Sequence, residues 1–313
     1  MANLTPLGRT TIVVSWLVTT LAFISLVFCT VVFLCAGRFG YSTRFSWIST
    51  SDGLNYAAFV VGVVLVSQNT FAILVEGQAN HQNDLASRQA DKLAKSIIIH
   101  EALWSMVNAL VRISACLSLH RIFSPSKNIR VTIIITVGFS VLHCFASVLE
   151  LALICRPFSA QWKTDIEATC GNQLLSFIIL EITAIAIDCA ILFIPSYATY
   201  QLQSITIQRR VYMFCVFDIG AVLLIIAGMR LKAISHATSP DFVYSKSYLA
   251  LLSALGVMLA IILCAAVPSA FIGRMIKVFF RRYLHNAETP GKSTNSSYET
   301  PECREAFSAR GDN

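Results

Sequence analysis

Charge is what this chain has least of. Only 13% of its 313 residues are Asp, Glu, Lys or Arg, against 56% hydrophobic ones. Soluble domains carry roughly 25% charge, so a water-facing fold could not cover so much apolar surface, and the bilayer must be the solvent. The chain also lacks the motifs of several chemistries. There is no CxxC and no Cys/His spacing suited to zinc, which argues against a metal site. HExxH, a P-loop and an Asp-rich diphosphate motif are all missing, leaving zinc hydrolysis, nucleotide use and diphosphate chemistry without support. The ten cysteines are not a disulfide framework, because Cys29, Cys35, Cys116, Cys144, Cys189, Cys215 and Cys264 lie in apolar runs and act there as small hydrophobes. The formal charge of +7 does not imply a nucleic-acid partner, since the basic residues sit in short loops where they set membrane topology.

What is present is long apolar runs. A spanning helix needs about 20 mostly apolar residues. Seven stretches qualify, at about 12–36, 54–75, 96–120, 131–154, 174–199, 211–234 and 248–272. The expected fold is all-α, a seven-transmembrane helix bundle over 12–272 with a short outer amino terminus at 1–11. The first run is too long for the apolar core of a signal peptide and no A-x-A-type site follows it, so it reads as a retained helix. Orientation follows from Lys and Arg near the helix ends. With the amino terminus outside, eleven of them are cytosolic (Arg38, Arg44, Arg121, Lys127, Arg130, Arg209, Arg210, Arg274, Lys277, Arg281 and Arg282). Seven are then outer (Arg9, Arg88, Lys92, Lys95, Arg156, Lys163 and Lys246). This bias predicts an outer amino terminus and a cytosolic carboxyl terminus. Residues 273–286 mix Ile276, Phe279, Phe280 and Tyr283 with basic side chains, and predict a basic amphipathic helix in the membrane interface. The tail at 287–313, rich in Ser, Thr, Pro and charge, is expected to be disordered. Asn3 opens a glycosylation sequon close to the first span.

Ionisable residues inside the spans are costly, about 2.5–3.5 kcal/mol each at the bilayer centre. They therefore face the bundle interior. Glu101/Asn108, His143/Glu150 and Glu181/Asp188 are each seven apart, a separation of about 20° around the helix and about 10 Å along it. Three consecutive helices thus each carry a polar stripe. Glu101, Glu150, Glu181 and Arg230 fall in the outer half of the bundle, and Asn108, His143 and Asp188 near mid-depth. Facing inward, these seven residues are the candidate ligand-binding set of an outer-opening polar cavity. The plainer reading is interhelical pairing or anchoring, with the end-proximal Glu101, Glu150 and Arg230 reaching water. Arg112 reads as structural, either snorkelling inward or paired with a carboxylate.

Several motifs in order resemble one family. They are RISACLSLHRIF (Arg112 to Phe123) and CRPFSAQWKTDIEATC (Cys155 to Cys170). Asp188 then precedes Pro195 and Gln201-Leu202-Gln203, FDIGAVLLIIAGMRL follows from Phe217, and Cys264 and Pro268 close the run. Gly77, His81, Asp84 and Leu85 echo a further motif. Together these resemble the fungal rhodopsin-domain family of seven-helix membrane proteins, over nearly the whole chain. The sequence departs from the family pattern at three places. Asp52-Gly53 stands where paired acids are usual, Ala79 replaces a glycine, and Gly256 falls where helix 7 usually carries an acid. The resemblance implies one of two groups, receptor-like proteins or proteins encoded in secondary-metabolite (including mycotoxin) biosynthetic clusters.

Retinal is not expected despite the family name. A Schiff base needs a lysine amine within the bundle, and none occurs from Ser247 to Ile272; Lys246 lies at the helix mouth. No other cofactor is expected. Cys155 and Cys170, in an outer and oxidising setting, are the expected disulfide, with two free thiols as the alternative. Its bridge would shape a lid over the cavity mouth.

Three functions fit these features. The first is a receptor-like protein that binds a small lipophilic or amphipathic ligand and signals to a cytosolic partner. The second is a membrane enzyme or accessory protein of a secondary-metabolite pathway. Its Asp188, Glu181, Glu101 or Glu150 would act as the acid that starts a cyclisation. The third is a metabolite or proton transporter. The expected partners are the bilayer and a small molecule, in the plasma membrane or an endomembrane.

Overall fold

The computed structural model describes residues 5–38, 46–76, 78, 87–122, 127–162, 167, 169–201, 207–235 and 246–266. Asn3, the interfacial segment 273–286, the tail 287–313, residues 79–86 and Pro268 lie outside them. Seven long helices make up the described residues. They are α1 (Pro6–Arg38), α2 (Ser46–Phe71), α3 (Ser87–Ile122), α4 (Lys127–Leu153), α5 (Gln173–Gln201), α6 (Ile207–Ser235) and α7 (Lys246–Ala266). A π-helical turn, Ala72–Glu76, extends α2. Among the described residues, α1 to α5 and α7 are long and apolar enough to cross a membrane.

The apolar exterior follows from the same chemistry. Phe28 on α1, Phe145 on α4, Phe193 on α5 and Ile225 on α6 all point outward and are exposed. In water such a surface would drive aggregation, whereas in lipid it costs nothing and every helix satisfies its own backbone. Neighbouring helices pack in chain order, α1 on α2, α2 on α3, α3 on α4, α4 on α5 and α5 on α6, with α3 also touching α5. α7 packs against α1, α2 and α3. Its Ala254, Val257, Met258 and Ile261 join Ala22 of α1, Ala58 and Val66 of α2, and Val107 and Val111 of α3 in one buried cluster. A second cluster joins Cys116 and Leu119 of α3, Ile129 and Ile133 of α4, and Ile194 of α5.

Lipid supplies no hydrophobic drive between helices, so close approach and hydrogen bonds hold them. α2 and α3 show this directly. Ser51 Oγ lies 2.6 Å from Ser118 Oγ, and Ser114 Oγ donates to the Ser51 carbonyl at 2.9 Å. Gly62 lets α2 meet α7, since a Cβ there would stand 3.0 Å from Met258 Cε. Asn55 Nδ2 donates to the Ile261 carbonyl at 3.3 Å, and Trp16 Nε1 ties α1 to Thr70 at 3.1 Å.

Between α4 and α5, strands β1 (Cys155–Arg156) and β2 (Thr169–Cys170) pair antiparallel, with Cys155 opposite Cys170. The two cysteines are bonded. The Arg156–Pro157 peptide is cis.

Candidate functional site

Ion pairs between distant helices organise the polar interior. Arg230 of α6 reaches across to α3, where Nη2 lies 2.6 Å from Glu101 Oε2. Its Nε stands 3.2 Å from Glu181 Oε2 of α5. That Nε–H is not aimed at the carboxylate, so the contact is an ion pair without a hydrogen bond. Nη1 donates to Ser253 Oγ of α7 at 2.7 Å. The guanidinium sits over Trp104, with Cζ 3.4 Å from the ring centroid, within reach of a cation–π contact. Lys246 Nζ, at the start of α7, sits 3.9 Å from Glu101 Oε1. Four helices therefore meet at one buried arginine. Glu101, Glu181, Arg230 and Lys246 are all buried, which lipid-embedded charges tolerate only when paired.

Two cavities flank this cluster, and Trp104, Glu181 and Arg230 line both. They form the wall between them. The loop-side chamber, about 170 Å³, lies where α4 ends and α5 begins, next to the disulfide-closed loop. Glu101, Glu150, Glu181 and Arg230 all line it. The deep chamber, about 160 Å³, is bounded by α3, α5, α6 and α7, and Asn108, Arg112 and Asp188 line it. There Arg112 grips Asp188 with both ends of its fork, Nε to Oδ1 at 2.7 Å and Nη2 to Oδ2 at 2.9 Å. Nη2 also donates to the Ala184 carbonyl at 3.2 Å. The geometry is the bidentate arginine–carboxylate pair that is strongest among charged hydrogen bonds.

The structure thus splits the expected cavity in two. Glu101, Glu150 and Glu181 gather in the loop-side chamber, while Asn108 and Asp188 face the deep one. His143 joins neither lining. Its Nε2–H donates to the Leu180 carbonyl at 3.0 Å and ties α4 to α5. Asn108 Nδ2 donates to the carbonyl of Trp104 in its own helix at 2.9 Å. Glu150 differs from the other acids. Neither of its carboxylate oxygens has a hydrogen-bond partner within geometric limits, although Ser176 faces it. The loop-side chamber holds three carboxylates and two cations, and both cations serve Glu101 and Glu181.

Gly256 lines the deep chamber. It offers no side chain there, and the neighbouring α7 lining residues Leu252, Val257, Ala260 and Leu263 are apolar. No described residue of the 155–170 loop lines the chamber. The bridge joins the end of α4 to the start of α5, and so holds Glu150 and Leu151 near Gln173 and Leu174. Gln161 Nε2 reinforces that end by donating to the Leu151 carbonyl at 2.7 Å.

Sequence reasoning missed Trp104, Ser253 and Ser105, and it placed Lys246 at the mouth without a partner. Trp104 carried one available signal, since it falls three residues after Glu101 and so on the same helical face. His100 was also missed. Its Nδ1–H donates to Gln68 Oε1 of α2 at 3.3 Å.

A helical bundle with an apolar exterior, buried ion pairs and internal chambers defines a multi-pass membrane protein. The chain belongs to the fungal rhodopsin domain family, whose model matches residues 10–272. No curated protein and no solved structure matches it.

Proposed function

We propose that the chain is a receptor-like protein with seven membrane spans and its amino terminus outside, binding a small amphipathic molecule in the loop-side chamber. One observation carries this reading. The chamber's inner wall is Arg230, which touches α3, α5 and α7 at once from its seat on α6. A molecule entering beside it perturbs contacts on four helices together, and this is the differential interaction a conformational switch requires. α6 supplies the seventh span. Its 29 residues reach about 44 Å at 1.5 Å per residue, and its one deep arginine is neutralised by two carboxylates. The excess of Lys and Arg on the opposite side supports an outer chamber.

The acids favour this reading over the enzyme. An acid that starts a cyclisation must hold a proton to give. Asp188, Glu181 and Glu101 are each ion-paired with a cation, which leaves them acceptors. Glu150 alone is unpaired, and it is the single feature that favours the second reading, an integral-membrane enzyme of secondary metabolism.

Deletion of the gene with metabolite profiling by mass spectrometry separates the two. The receptor reading expects an unchanged metabolite profile and a lost response to an external cue, restored by the intact gene. Accumulation of one defined intermediate, uncorrected by a Glu150→Gln copy, replaces it with the enzyme reading.

A further inference from the structure

We infer that the ligand of the loop-side chamber is a small amine, bound as its ammonium ion by Glu150. This rests on the ligand-binding reading above and adds the chemistry of what is bound.

The first support is the balance of charge. Of the five ionisable side chains that line the chamber, Glu101 and Glu181 hold Arg230 between them, and Lys246 stands against Glu101. Both cations are within ion-pairing distance of a carboxylate. An anionic ligand would have to compete with Glu101 and Glu181 for them. Glu150 has no such commitment, because its two oxygens are buried and without a hydrogen bond. A buried acceptor left unmade forfeits about 1–3 kcal/mol, more when charged, and an ammonium group recovers it. Ser105 Oγ, also on the chamber wall, is likewise buried and unpartnered. It offers a second polar contact.

The remaining wall describes the rest of the ligand. Leu151, Leu174, Phe177, Leu180, Ile234 and Leu249 are apolar. They suit a hydrocarbon or aromatic body behind the amine. Size limits that body, since about 170 Å³ falls below the roughly 300–1,000 Å³ of pockets for drug-sized ligands. A small monoamine with one ring fits the chemistry, whereas a long polyamine would bring charges for which the wall has no second free acid.

The test uses the full chain in lipid nanodiscs with three probes of matched shape, phenethylamine, phenethyl alcohol and hydrocinnamate. Binding is read by calorimetry and by the shift of thermal unfolding with probe concentration. The amine is expected to bind and stabilise the protein, and the alcohol and the carboxylate are not. Glu150→Gln is expected to weaken amine binding by about ten- to a hundredfold, the scale of a hydrogen bond to a charged group. That variant is not expected to lower the unfolding midpoint, because no ion pair is lost with the Glu150 charge. Leu174→Trp, which fills the chamber and leaves Glu150 in place, also abolishes binding. Equal binding of the amine by wild type and Glu150→Gln overturns the inference. So does absence of amine binding to the wild type. Preferential binding of the carboxylate overturns the amine assignment while leaving a ligand chamber in place. Amine binding without any cellular response retains the assignment and removes the receptor reading.

Discussion

Arg230→Met is the perturbation whose cost the structure specifies most fully. The substitution keeps an unbranched side chain of similar length and deletes the guanidinium. Four contacts go with it, to Glu101, Glu181, Ser253 and the Trp104 ring. Removing one partner of a buried ion pair costs about 3–5 kcal/mol, because the other charge stays buried and unpaired. The two carboxylates do not suffer equally. Glu101 retains Lys246 at 3.9 Å, whereas Glu181, with its side chain 4% exposed, keeps no ion pair among the described residues. Most of the loss therefore falls on Glu181. Adding Glu181→Gln to Arg230→Met should restore most of the stability, and adding Glu101→Gln should restore much less. The measurement is reversible unfolding in mixed micelles titrated with sodium dodecyl sulfate, followed by circular dichroism. Interhelical hydrogen bonds in membranes average only about 0.6 kcal/mol, and this sets the competing expectation. A cost for Arg230→Met below about 1 kcal/mol, or equal rescue by the two glutamine substitutions, would refute the argument that buried charge dominates this cluster.

Two further outcomes follow from the same packing. Replacing Cys155 and Cys170 by serine releases a loop whose ends are 15 residues apart. That should cost about 3 kcal/mol in the chain-entropy account in the same titration; a wild-type protein indifferent to reducing agent would show that the β1–β2 pairing alone holds the ends. Gly256→Ala and Gly220→Ala form a contrasting pair. A Cβ on Gly256 meets Ile226 Cγ2 at an ordinary 3.5 Å, whereas one on Gly220 collides with Leu192 Cδ1. The first should be neutral or stabilising by up to ~1 kcal/mol, and the second destabilising by about 1–3 kcal/mol. Matching unfolding curves for the two variants would contradict the close approach of α5 and α6.

The amino-acid sequence by itself determined the helices, because bilayer thickness sets a length that apolar runs must meet. Six of the expected spans coincide with helices long and apolar enough to cross a membrane, the last of them described as far as Ala266. It also singled out the acids, since a charge in lipid stands out against its neighbours. Seven-residue spacing put Glu101 with Asn108, and Glu181 with Asp188, on common helix faces, and all four line one chamber or the other. It could not show that these faces border two chambers, with Glu181 on the wall between them, because a separation of about 10 Å along the axis is also the thickness of a wall. Nor could periodicity assign partners. Helices that are apolar nearly all round, as α5 is, carry no stripe that states which way they turn. Only the tertiary structure decided that Arg230 meets Glu101 across 129 positions of chain, that Arg112 takes Asp188, and that His143 goes to a backbone carbonyl. Those choices follow from helix rotation and close approach, which Ser51, Ser114 and Gly62 help to set. Lys246 was hidden for another reason. A lysine at the start of a span reads as a topology signal, and only the packing of α7 against its neighbours brings it to Glu101. Glu150 was one acid among several in the sequence; what distinguishes it is that the packing around it placed both cations elsewhere.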